Sequence, residues 1–132
     1  MLYHATTTGT VSSTTLGSIT LAESFGTAQP AYKVTKAAEN MLTVQWSGIL
    51  KAEGFTVFAM SPGWLRTDLG SEYADLDIAV GTKCVVDRLL MASPQENEKL
   101  LNIEAEGWEN GKPGAKKGEG GPNVYDGKDA PW

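Results

Sequence analysis

The sequence predicts an α/β fold with a parallel sheet. Three observations carry that prediction. Apolar residues recur with helical periodicity from Tyr32 to Lys51. A short β-branched and aromatic run, Phe55 to Met60 (FTVFAM), follows almost at once. A second helical stretch and a second short apolar run come after it. Helix, strand, helix, strand at these lengths is the pattern of α/β crossovers.

Each element has its own signal. Thr8 to Ser13 (TGTVSS) supplies a first strand within a polar opening, residues 1–29, rich in Thr, Ser and Gly. Pro30 suits a first helical turn, where its missing N–H costs nothing. Behind it, Val34, Ala37, Ala38, Met41, Leu42, Val44, Trp46, Ile49 and Leu50 give a helix with a wide apolar face, closed by Gly54. Phe55 to Met60 is continuous rather than alternating, the mark of a strand buried on both faces. Ser61-Pro62-Gly63 stops it, and residues 61–74 form a loop. Leu76 to Met91 is a second helix, with Ile78, Val80, Val85, Val86, Leu89 and Leu90. Lys99 to Ile103 (KLLNI) is the last strand. Residues 104–132 hold seven of the fifteen glycines and three of the six prolines. Within them, 111–121 (GKPGAKKGEGG) has almost nothing to bury and reads as a mobile loop, while Val124, Tyr125 and Trp132 equip the end to dock back on the body. A body over 1–103 and a tail over 104–132 is the expected division.

The whole is 132 residues with a formal net charge of −5, 41% hydrophobic and 20% charged, an ordinary globular composition of one domain at most. The acidic balance argues against nucleic acid and anionic membrane as partners. No apolar run is long enough to span a bilayer. The start (MLYHATTTGTVSSTT) lacks the charged and apolar blocks of a signal peptide, and the single cysteine, Cys84, has no internal disulfide partner. A cytoplasmic protein is expected, with Cys84 a packed thiol and the lone His4 without companion ligands for a metal. Three strands and two helices make a thin α/β domain, because a parallel sheet wants helices on both faces. The sequence reads as part of a larger unit.

One pair of residues points to chemistry. Tyr32 and Lys36 stand four apart at the helix start, on one face a turn apart. A carbonyl reductase must give a proton to the oxygen that gains charge as hydride reaches carbon, and a phenol beside an ammonium can do so. A hydroxyl donor to the same oxygen would complete the site. On spacing alone, the pair is more often an ordinary helix start.

The neighbouring motifs change that balance. Tyr32-Lys33-Val34-Thr35-Lys36, followed by Ala37-Ala38 and Asn40-Met41, resembles the YxxxK segment of the short-chain dehydrogenase/reductase family. Ser61-Pro62-Gly63-Trp64-Leu65-Arg66-Thr67-Asp68 resembles that family's PGxxxTD segment, and Val11 to Ile19 (VSSTTLGSI) its SSxxGSI stretch. The resemblance covers residues 10 to about 103 and has the flavour of C-factor-like and ketoreductase-like carbonyl reductases. It implies the C-terminal half of a Rossmann-like, doubly wound parallel sheet. It also implies an NAD(P)-dependent oxidoreductase acting on a small carbonyl or secondary alcohol, with NADPH slightly favoured. By resemblance, Tyr32 and Lys36 form the dyad and Lys36 also holds the nicotinamide ribose. Pro62, Gly63 and Trp64 lie by the cofactor, Gly63 lets the backbone approach the nicotinamide, and Thr67 bonds its carboxamide. Trp64 also fits a wall of the substrate pocket. The serine position falls on Thr14 by counting back from Gly17, or on Ser13 with one inserted residue. The family's Gly-rich turn and NNAG segment have no counterpart here, so a chain lacking the pyrophosphate-binding half is expected. The residue that would choose NAD or NADP is absent with it. The resemblance further implies a homodimer through the helix 30–51. The competing expectation is a non-catalytic truncated paralogue acting as a binding module.

Overall fold

The structure is a computed structural model that describes residues 7–26, 29–114, 116, 117, 119, 120 and 122–132. His4 lies outside them. Strands β1 (Thr7–Ser12), β2 (Phe55–Ser61), β3 (Leu100–Asn102) and β4 (Asp129–Ala130) form one sheet in the order β1-β2-β3-β4. The first three are parallel; β4 runs antiparallel to β3. Helix α1 (Pro30–Leu50) connects β1 to β2, and α2 (Ile78–Leu90) connects β2 to β3. The fold is thus α/β, with every expected element present and each boundary within two residues.

β2 is central and buried from Thr56 to Ser61, as its unbroken apolar run requires. Its side chains alternate between faces. Phe58 and Met60 join Leu101 and Ile103 of the β3 region in a core closed by Leu76, Ala105 and Tyr125, against which Cys84, Val85 and Leu89 of α2 pack. Val57 and Ala59 are also buried but stand outside that cluster, on the face along which α1 runs. One helix therefore lies on each face of β2, while β1 stays exposed or half-exposed along its length, in line with the sequence expectation that two helices would hardly cover both faces.

α1 meets the sheet with an unexpected stripe. Its buried residues are Asn40, Thr43 and Ser47, not its apolar ones. Thr43 Oγ1 donates to the Glu39 carbonyl (3.0 Å) and Ser47 Oγ to that of Val44 (2.7 Å), so both burials are satisfied within the helix. Small side chains there let the helix axis lie close to β2. Met41, Leu42, Trp46 and Ile49 are left on the outside, and Val34 is 66% exposed.

The tail returns to the body. Ala105 and Tyr125 enter the core, Trp108 stacks against Tyr125 at 5.6 Å between ring centres, and β4 extends the sheet. Thr20 fixes the chain end, donating to the Trp132 carbonyl from its backbone (3.1 Å) and its hydroxyl (2.7 Å). Among the described residues no helix is long and apolar enough to cross a membrane.

Phe58 is fully buried in the central strand. Phe58→Ala is expected to destabilise the fold by about 3–5 kcal/mol. Chemical denaturation checks this, and a loss below about 1 kcal/mol would show that the core lies elsewhere.

Candidate active site

The C-terminal ends of parallel strands are where α/β sheets place ligands. Here a cleft opens beyond the ends of β1 and β2. One lobe is lined by Ser12, Ser13, Tyr32, Lys36, Pro62 and Gly63, with Leu65 and Thr67 at its edge. The other shares Ser13, Tyr32 and Trp64 and adds Thr14, Phe25 and Tyr125. Every residue the sequence offered for catalysis or cofactor binding thus lines one or both of these adjoining lobes, although they come from three separate stretches of chain.

Each segment is held by a local device. Ser13 follows β1 directly, and its N–H donates to the Met60 carbonyl at 2.8 Å, continuing the ladder by one residue. Thr14 then caps a short 3₁₀ turn, Thr15–Gly17, by accepting from the Leu16 N–H at 3.2 Å. That turn packs so tightly on α1 that a Cβ added to Gly17 would lie 2.7 Å from the Lys36 carbonyl carbon and 2.9 Å from Asn40 Nδ2. Only glycine fits. Ser13, 3% exposed, donates its hydroxyl to Asn40 Oδ1 at 2.5 Å, while Asn40 Nδ2 is buried without a partner. The two candidate hydroxyls therefore differ. Thr14 accepts as a cap and keeps its own proton, whereas Ser13 borders both lobes but gives its proton to Asn40.

Tyr32 and Lys36 rise from the first two turns of α1. Lys36 Nζ donates to Glu39 Oε2 at 2.6 Å and to the Ser12 carbonyl at 3.2 Å, so its ammonium is tethered to the end of β1. Thr67 Oγ1 accepts from the Gly70 N–H at 2.9 Å and stabilises the loop after β2. Gly63 has φ +82°, and a Cβ there would sit 3.2 Å from Ile103, Leu76 and Tyr125. Its backbone conformation demands glycine and the core behind it leaves little room for a Cβ, independently of any ligand.

Three functional candidates went unread in the sequence. Asn40 was visible only as part of the helix pattern. Asp75 and Tyr125 stand 50 residues apart. Tyr125 Oη donates to Asp75 Oδ2 at 2.5 Å and accepts from the Trp64 N–H at 3.0 Å, and Asn123 Nδ2 donates to the same carboxylate oxygen at 2.8 Å. Burial, reinforced by the Asp75 hydrogen bond, raises the Tyr125 pKa well above the usual phenol range. Tyr125 thus stays protonated and holds the loop that carries Trp64. Its signal in the sequence was one of three aromatics, with Trp108 and Trp132, in a Gly- and Pro-rich tail. Cys84, half-buried in α2, has its thiol pKa raised by burial, consistent with a packing role.

The comparisons join this geometry to known proteins. No family model matches the chain. Among curated proteins it is 40% identical over 77 residues to the C-signal protein of Myxococcus xanthus, covering 56% of this chain and 45% of that one. It is 40% identical over 47 residues to the short-chain dehydrogenase/reductase tropE of Talaromyces stipitatus, covering 36% and 18%. Among solved structures, the NADPH-bound carbonyl reductase from chicken fatty liver superposes with a TM-score of 0.65 at 27% identity, over 74% of this chain and 42% of that one. The chain is thus similar, over part of their length, to short-chain dehydrogenases/reductases and carbonyl reductases. The carbonyl reductase Sniffer of D. melanogaster shares the fold over 95% of this chain, with a TM-score of 0.69 at 23% identity. The chain spans 41% of the Sniffer chain and 45% of the C-signal protein, less than half of either.

Tyr125→Phe keeps the ring and removes both hydrogen bonds of the hydroxyl. The Trp64 N–H and the Asp75 carboxylate then each lose a partner, and a loss of about 1–3 kcal/mol is expected. An unchanged denaturation midpoint would show that the hydroxyl does not hold the loop.

Proposed function

We propose that this chain carries the catalytic portion of an NAD(P)-dependent oxidoreductase that reduces a carbonyl compound or oxidises a secondary alcohol. The observation that carries the proposal is the convergence of Tyr32, Lys36 and Ser13 with the Pro62–Thr67 loop on one cleft at the strand ends. The carbonyl reductase and NADP-bound relatives support it.

The cleft fits the nicotinamide end of such a cofactor. The lobe beside Lys36 encloses about 660 Å³ and offers ammonium, hydroxyl and backbone donors for a ribose and a carboxamide. Lys36 would hold the ribose, Thr67 the carboxamide, and the backbone of Pro62, Gly63 and Trp64 would bound the ring. A reduced nicotinamide supplies the hydride. The Tyr32 hydroxyl gives its proton to the substrate oxygen as charge develops there, and the Lys36 ammonium, a turn away, favours the charge left on the phenolate oxygen. Ser13, or Thr14 in its place, braces the substrate oxygen; Ser13 borders both lobes but must first turn its proton from Asn40 Oδ1, whereas Thr14 keeps its own proton.

The proposal extends to a longer protein in which these residues are joined to a dinucleotide-binding half. In such a protein Tyr32→Phe should lower carbonyl reduction on the order of a thousandfold while leaving the melting temperature unchanged, since it removes one hydroxyl and no packing volume. Lys36→Ala should also weaken cofactor binding. Retention of most activity by Tyr32→Phe would sink the dyad.

The apolar residues that α1 leaves outside form a patch of the kind that drives association. The proposal includes a homodimer through this helix. Light scattering should show a dimer or larger species, and Trp46→Glu should shift it toward monomer; a sharp monomer peak for the unaltered chain would count against it.

A second reading has one observation in its favour. Lys36 is already engaged by Glu39 and the Ser12 carbonyl, as suits a chain kept for binding rather than catalysis. Fluorescence titration with NADPH of the longer protein, rather than of residues 1–132 alone, separates the two. Absence of saturable binding is expected on either reading for these residues alone, but if the longer protein also fails to bind, the non-catalytic reading prevails.

A further inference from the structure

The second lobe of the cleft encloses about 320 Å³, the size of a small ring-bearing molecule. Its wall is apolar, built from Leu16, Phe25, Trp64, Pro122 and Tyr125. Lys36 is the one charged side chain among the described residues lining either lobe, and it sits on the far side, tied to Glu39 at 2.6 Å. Among the described residues no free cation faces the apolar lobe. Directly behind its wall is the opposite charge: Tyr125 and Asn123 both line the lobe, and both donate to Asp75 Oδ2, at 2.5 and 2.8 Å.

We propose that the Asp75–Tyr125–Asn123 cluster makes this lobe selective for an uncharged carbonyl compound with an apolar, ring-sized body and turns away its carboxylate analogues. A carboxylate entering the lobe gives up water, finds no cation to pair with, and meets the field of Asp75 one side chain away. The desolvation and the repulsion add. An uncharged ketone gives up little water and gains apolar contact. The hydrogen bonds to Asp75 have a second effect. They occupy the Tyr125 donor and one of the two Asn123 N–H donors, leaving a single neutral N–H of this cluster to meet an anion. Asp75 is thus a specificity-determining residue that acts through its partners.

The selectivity deepens the reductase proposal, which supplies the word carbonyl, but its test needs neither cofactor nor turnover. Acetophenone and benzoate have nearly the same shape and differ in charge. Ligand-observed saturation-transfer NMR on residues 1–132 tolerates an associated protein and reports binding of each. Acetophenone should bind saturably, and benzoate on the order of tenfold more weakly. Trp64→Ala should abolish acetophenone binding, which places the probe in this lobe. Asp75→Asn keeps an acceptor for Tyr125 and removes the charge, so it should retain acetophenone binding and strengthen benzoate binding several-fold. Asn123→Lys, which adds a cation to the wall, should make benzoate the better ligand and serves if Asp75→Asn fails to fold. Equal binding of the two probes, binding of neither, acetophenone binding that survives Trp64→Ala, or no gain in benzoate affinity in whichever of these charge variants folds would each overturn the proposal. A negative result leaves the reductase proposal standing, because no hydride transfer is read. Failure of the Tyr32 test leaves this selectivity standing.

Discussion

The close approach of Gly17 to α1 is the contact on which the rest of the site depends. The 3₁₀ turn after β1 lies against the helix backbone at Lys36 with no room for a single methyl group. That contact sets the distance between the end of β1 and the first turns of α1. With it fixed, Ser13 reaches Asn40, Lys36 reaches the Ser12 carbonyl, and Tyr32 faces the same cleft. The buried stripe of Asn40, Thr43 and Ser47 continues the same logic along the helix. Small side chains let α1 lie close to the sheet, and their polar atoms are bonded within the helix or to Ser13, apart from the Asn40 amide nitrogen. The helix is positioned by close backbone approach more than by a large apolar interface.

The other wall of the cleft is held differently. The loop after β2 leaves the strand through Gly63, whose backbone conformation demands glycine and whose packing leaves little room for a Cβ. The tail then supplies Tyr125, which is buried, stacked on Trp108 and bonded to Trp64 and Asp75. A buried hydroxyl that both donates and accepts is expensive to disturb, since either lost partner leaves a polar group unpaired. One side of the cleft is thus anchored by steric contact and the other by a polar chain, and the ligand space lies between them. Two tyrosines border it with opposite duties. Tyr125 is locked in its protonated form as a strut, whereas among the described residues the Tyr32 hydroxyl takes no part in the fold's hydrogen bonding and is left for the chemistry proposed for it.

Much of this was legible in the sequence because it was local. The run FTVFAM could only be a buried strand, and Pro30 and Gly54 marked the ends of the helical region between them. The cleft residues were found by motif order, since Ser13, Tyr32, Lys36 and Gly63 each sit at a strand end or helix start where side chains converge. What the sequence withheld was orientation and distance. Periodicity locates an apolar stripe but does not say which way it turns, and in α1 the stripe of Met41, Leu42, Trp46 and Ile49 faces outward while hydroxyl-bearing residues face the sheet. The Asp75–Tyr125 bond joins a loop to a tail across 50 positions, and no local pattern encodes such a pairing. Asn40 was hidden for a related reason, because a polar residue in a helix is ordinarily solvated and only the position of Ser13 gives it a partner.

The central claim is that the Gly17 contact holds the end of β1 and the start of α1 in the register the site requires. Gly17→Ala tests it most directly, since Gly17 lies outside the left-handed region and alanine adds only a methyl group. The measurement is the denaturation midpoint together with hydrogen-exchange protection of the Asn40 side-chain amide. The account expects a loss of about 1–3 kcal/mol, as for an overpacked core, with faster exchange at Asn40 as the helix is pushed from the turn. A variant as stable as the unaltered chain, with Asn40 equally protected, would contradict it.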